Sequence, residues 1–222
     1  MDIILYLLAF VVVMAAQSSV TSAYQKYKQV ENRRGVTGAQ VASRILDMNG
    51  LYDVQLEITN STLGDHYDPT KKVIRLSPDI YYGTTIASVS VASHECGHAI
   101  QHAENYGFIA LRNSILPFCS IASNLAWPAL FIGLFFALES IVYIGIIMLV
   151  VVLVFQVVTL PVEFNASSRA LKIIASEGIV YEEEVNGAKK MLSAAAMTYV
   201  AAVISSALQI LRLLLITNRR RD

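Results

Sequence analysis

Charge is scarce in this chain of 222 residues: Asp, Glu, Lys and Arg make up 15%, against 55% hydrophobic residues. An ordinary soluble domain carries more charge than that. Acidic and basic residues balance at 17 each, for a formal net charge of zero. There is no basic excess to hold a polyanion, so nucleic acid is not an expected partner. Only two cysteines occur, Cys96 and Cys119. Two scattered thiols are no disulfide framework. The short segment before the first apolar run has Asp2 but no Lys or Arg, and no clean small-x-small site follows the run. It reads as an uncleaved anchor rather than a signal peptide. Internal repeats and low-complexity tracts are also missing.

The missing charge is clustered. Positions 113–138 carry none, and after Glu139 neither do 140–162. Two further uncharged runs are Ile3–Gln25 and Met191–Leu211. Each meets the roughly 20 residues that cross about 30 Å of hydrocarbon. The expectation is four membrane helices and contact with a lipid bilayer. Lys and Arg concentrate between helices one and two (Lys26, Lys28, Arg33, Arg34) and between helices three and four (Lys189, Lys190). By the positive-inside rule those segments face the cytoplasm. Arg219, Arg220 and Arg221 disagree if the last helix spans, and Arg212 inside its run favours a partial or interfacial helix.

The water-facing part is small. Thr37–Met48 has the pattern of a short amphipathic helix that stops at Asn49-Gly50. Val54–Ile58 and Val73–Leu76 alternate as strands do. The segment Gly64–Thr70 between them is rich in turn residues, and Pro78 ends the second strand. Pro161 suits the first turn of a new helix, which would run to about Glu177 with Gly178 as its stop.

Three of the four histidines fall in S-H-E-C-G-H-A-I-Q-H, residues 93–102. Thr84 to Ser93 contains no Gly or Pro, so one helix from there to about Glu104 is expected, capped by Thr84 or Thr85. Residues four apart share a helix face, so His94 and His98 can point at one ion. Glu95 lies about 100° round, beside the ion and not under it. A general base toward a water at a catalytic metal needs that placement, and H-E-x-x-H is the zinc-hydrolase pattern. A structural histidine pair is the plain alternative. Cys96 falls on the opposite face, as a core residue does.

A catalytic zinc takes about three protein ligands. His102 shares the face but lies about 12 Å along the axis from His94. It fits a supporting or surface role better. Glu104 is on the wrong face, and Glu139 is at the far end of the membrane hairpin. Glu177 closes a helix, Glu182, Glu183 and Glu184 form a charged cluster, and Asp222 is terminal. Glu163 remains, where the chain leaves the membrane. The plainer alternative is that a lone Glu in a first helical turn only serves the helix dipole.

Four blocks, D-H-Y-D-P (65–69), L-S-P-D-I-Y (76–81), S-H-E-C-G-H-A-I-Q (93–101) and L-P-V-E-F-N-A-S-S-R-A-L (160–171), occur in the order seen in the neutral zinc metallopeptidases of bacterial membranes, which the chain resembles over nearly its whole length. More distantly it is similar to the heat-shock membrane protease and CAAX prenyl protease families, which also insert a membrane hairpin between H-E-x-x-H and a glutamate ligand. The resemblance implies one Zn2+ per chain on His94, His98 and Glu163, with Glu95 as base. It implies a mostly α membrane protein of about four transmembrane helices with a small α+β zincin-like unit. The divisions are an anchor (1–24), the zincin-like unit (25–112), a transmembrane hairpin (113–162), a helix with the third ligand (163–190) and a C-terminal apolar helix with a basic tail (191–222). The distant relatives carry Asp four residues after the ligand glutamate, where this chain has Ser167.

The expected function is a membrane-embedded zinc endopeptidase of the bacterial plasma membrane, acting on membrane-associated polypeptides with its site on the cytoplasmic side. By analogy with other zincins, the Val73–Leu76 strand would pair with an extended substrate. His66, Tyr67, Tyr81 and Tyr82 are candidate oxyanion donors. For His66 the alternative is a local bond to Asp65 or Asp68. Two rival readings remain. An intramembrane protease would need the H-E-x-x-H helix inside the bilayer and a later Asp ligand. A metal-stabilised scaffold would have no use for Glu95.

Overall fold

The computed structural model describes residues 2–61 and 64–219. Among the described residues, seven helices and three strands follow one another: α1 (Asp2–Tyr27), α2 (Gly38–Met48), β1 (Gln55–Ile58), β2 (His66–Asp68), β3 (Val73–Leu76), α3 (Pro78–Tyr81), α4 (Ile86–Ala103), α5 (Gly107–Phe135), α6 (Glu139–Ser176) and α7 (Glu182–Arg219). The chain divides into two compact units, and α1, α5, α6 and α7 each contribute to both.

One unit takes the chain up to Gln17, Ala110–Pro161 and the part of α7 from Thr198 on. Its buried residues are few: Leu130, Val142, Ile146, Ile210 and Leu213 form a small cluster. Large apolar side chains instead point outward, with Phe131 69% and Ile147 62% exposed. Water would not tolerate a surface of that kind over so many turns, whereas lipid does. The four long helices α1, α5, α6 and α7 have the length and apolar composition to cross a membrane. This is a mostly α membrane protein. α7 runs without a break through Arg212 and is long enough to span. Arg220, Arg221 and the side chain of Arg219 lie outside the described residues.

The other unit holds Ser18–Ile109 and Val162–Met197. Local sequence explains most of it. Thr37 and Gln40 form a reciprocal capping box that starts α2. Val41, Ala42, Ile45 and Leu46 then bury one face of α2 against the apolar face of α4. Thr85 caps α4 by accepting from the Ser88 N–H. The cluster Glu182–Glu184 is not merely solvated: Glu183 meets the Arg33 guanidinium at 2.9 Å, and Glu184 accepts from the backbone N–H groups of Arg33 and Tyr181 at 2.8 Å each.

Two sequence expectations fail here. The turn-rich segment 64–70 contains a strand, β2, so the sheet has three strands in the order β1-β3-β2. β3 is its centre, paired parallel with β1 and antiparallel with β2. Both its edges are taken, so β3 has no free N–H or C=O row to offer an extended substrate. Second, no helix starts at Pro161. It sits inside α6, which is continuous over 38 residues. At 1.5 Å per residue that is about 57 Å, nearly twice the hydrocarbon thickness. Pro161 lacks one hydrogen bond but lies in a helix long enough to carry the defect. Glu163 is therefore an interior helix residue, and the dipole explanation for it lapses.

Candidate metal centre

The site is made where α4 meets the later part of α6. Gly97, between the two histidines, makes the approach possible. A Cβ there would lie 2.6 Å from the carbonyl oxygen of Ala166 and 3.1 Å from its Cα. The obstacle is backbone, which cannot swing away. The facing residues on α6 are small or buried: Val162, Ala166 and Ala170 are each 0% exposed. Gly97→Ala is expected to destabilise the protein by about 1–3 kcal/mol through overpacking. Thermal unfolding in detergent measures this, and an unchanged midpoint would mean that the helices separate freely.

His94 and His98 sit one turn apart on α4 with Nε2 atoms 3.2 Å apart. Glu163 Oε2 lies 3.4 Å from His94 Nε2 and 3.6 Å from His98 Nε2. A tetrahedral zinc at about 2.0–2.1 Å from each ligand separates ligand atoms by about 3.3–3.4 Å, since the tetrahedral edge is about 1.63 bond lengths. The triangle fits that ion. Glu163 is 3% exposed, and its Oε2 is buried with no hydrogen-bond partner among the described residues. An orphaned carboxylate oxygen is costly unless a cation accompanies it. Burial alone would lower the pKa of His98, but Glu163 and Glu95 outweigh it and hold the imidazole above its ordinary value.

The other nitrogens of the two histidines are also engaged. His94 Nδ1 is 3.1 Å from the Ser167 hydroxyl. His98 Nδ1 is 3.1 Å from Gln101 Oε1. Gln101 was not singled out by spacing, because a glutamine inside a metal helix carries no ligand signal of its own. Its full burial is visible only in the fold. Glu95 is buried at 7% exposure on the same helix. Cys96 faces away, its thiol 3.7 Å from the Ala42 carbonyl oxygen, and burial pushes its pKa up.

Over 208 residues, 93% of its length, the chain is 51% identical to "Putative membrane protease YugP" of Bacillus subtilis (strain 168), of which 92% is covered. The family described as "Putative neutral zinc metallopeptidase" matches residues 2–218. The chain belongs to that family. No solved structure matches it.

Other motif residues make local contacts of their own. Asp65 accepts from the Ser77 N–H at 2.7 Å and from its hydroxyl at 3.0 Å, which fixes the start of α3. Asp68 accepts from the N–H groups of Thr70 and Lys71 and from Arg75. The Lys71 N–H and Arg75 hold its carboxyl below the usual range. His66 is exposed on β2, with Nδ1 2.7 Å from the Gly64 carbonyl oxygen, so its local partner is neither Asp65 nor Asp68. No contact among the described residues brings it to the metal triangle. His102 meets the Tyr67 hydroxyl at 2.9 Å and is not part of the triangle either.

Proposed function

We propose that this protein is a zinc-dependent endopeptidase embedded in a bacterial plasma membrane, with His94, His98 and Glu163 holding one Zn2+ and Glu95 acting as general base. The observation that carries this is the triangle of Nε2, Nε2 and Oε2 atoms at 3.2–3.6 Å, one corner being a buried oxygen with no hydrogen-bond partner among the described residues. Zinc bound there would supply a Lewis acid that polarises a scissile carbonyl and acidifies water. The protein's own residues do the rest. Glu95, beside the triangle on α4, accepts the proton of the attacking water and passes it to the departing amine nitrogen. Ser167 and Gln101 hold the imidazoles in place. His66 is assigned no step, since its ring is occupied locally.

Family membership supports a polypeptide substrate, and the four long apolar helices support one found at the membrane. The Lys and Arg near the helix ends favour a cytoplasmic site. α4 is not among the helices long and apolar enough to cross a membrane. Cleavage is therefore assigned beside the bilayer rather than within it. The test is hydrolysis of an unfolded model protein by the purified chain in detergent. Activity that 1,10-phenanthroline abolishes and added zinc restores is the expected result. A zinc-loaded protein that cleaves nothing, including its own chain, would refute the peptidase reading.

A further inference from the structure

A chain of hydrogen bonds leads from the metal triangle to the surface. Its direction at each link is fixed by the residues at its ends. The backbone oxygen of Val162 can only accept, and it lies 2.8 Å from the side-chain nitrogen Nε2 of Gln101. Arg169 Nε can only donate, and it lies 2.7 Å from Asn165 Oδ1. These two contacts determine which way round both amides stand. Gln101 Nε2 then donates its second hydrogen to Asn165 Oδ1 at 2.9 Å. Only Gln101 Oε1 is left for His98, so the Nδ1 atom 3.1 Å away must carry a hydrogen. A neutral imidazole with a hydrogen on Nδ1 has its lone pair on Nε2. That is the atom facing Glu163 Oε2 and His94 Nε2. Arg169 is itself anchored by Glu104 at 2.7 Å.

We infer that Gln101, Asn165 and Arg169 are positioning residues that preset His98 in its metal-binding tautomer, so that a guanidinium which touches no ligand helps set zinc affinity. The contrast with His94 supports this. Its partner Ser167 has a hydroxyl that can donate or accept, and so does not dictate a tautomer. Gln101 is fully buried, so its amide cannot turn over toward water and the preset persists. The inference rests on the zinc-site reading above.

The test is the dissociation constant for zinc, measured by chelator competition on the full chain in detergent. Gln101→Met and Asn165→Leu are each expected to weaken binding about 10–100-fold, the usual cost of losing a partner of a metal-bound histidine. Asn165→Asp is expected to bind as wild type does, because Asn165 uses one oxygen to accept from both neighbours and Asp offers the same oxygen. The double variant Gln101→Met/Asn165→Leu is expected to be no weaker than Gln101→Met alone, since both break one relay. Equal losses for Asp and Leu at 165, or multiplying losses in the double variant, would overturn the relay and leave ordinary packing. If Gln101→Met does not fold, the Asp and Leu pair at the partly exposed position 165 still decides. A wild type that binds no zinc would instead refute the site itself.

Discussion

Glu95→Gln is expected to keep the zinc content of the wild type and to lose about 10²–10⁴-fold in peptide hydrolysis, the range for removing a general acid–base group. The amide has the shape of the carboxylate but cannot take a proton from water at neutral pH. Glu95 is not a corner of the metal triangle, so ligation should be untouched. Its side chain is almost fully buried, which keeps solvent from substituting for it. Metal analysis and a turnover assay on the same preparation separate the two roles. Lost zinc would make Glu95 a ligand and the division of labour wrong. Full activity would mean that another base serves, and full cellular function without turnover would revive a scaffold role for the metal.

Glu163→Ala should have the larger effect on binding. It leaves two imidazoles on one helix and removes the only corner supplied by α6. Zinc content should fall from about one per chain, as a mononuclear site implies, to near zero after dialysis. Stability gives a second reading. Zinc at about a thousand times its dissociation constant adds about 4 kcal/mol to a protein that binds it only when folded. The wild type should therefore melt higher with zinc than with chelator, and Glu163→Ala should melt alike in both. A variant that still gains from zinc would show that His102 or another group completes the site.

Much of the water-facing unit could be read from short-range pattern. The capped start of α2, the strand Val73–Leu76 and the Thr85 cap of α4 are each set by residues within a turn of one another. β2 was hidden because three residues among Gly, Asp, Pro and Thr show no alternation, and only pairing with β3 makes them a strand. The same pairing closes the edge of 73–76 to an extended substrate. A helix start at Pro161 rests only on the fit of proline to a first helical turn. The uninterrupted apolar run before it and the buried face after it weigh more over 38 residues.

The sequence alone determined the candidate ligands and the membrane character: a histidine pair four apart with a glutamate beside it, and four apolar runs long enough to cross a bilayer. Helical period and hydrocarbon thickness are enough for that, because both act along the chain. Only the tertiary structure decided that Glu163 and the histidines meet, that Gly97 lets α6 come so near, and that Gln101, Asn165 and Arg169 form one line behind His98. The contacts among these that run from α4 to α6 join residues more than 60 positions apart. They depend on how closely two helices pack, and no periodicity within either helix encodes that distance.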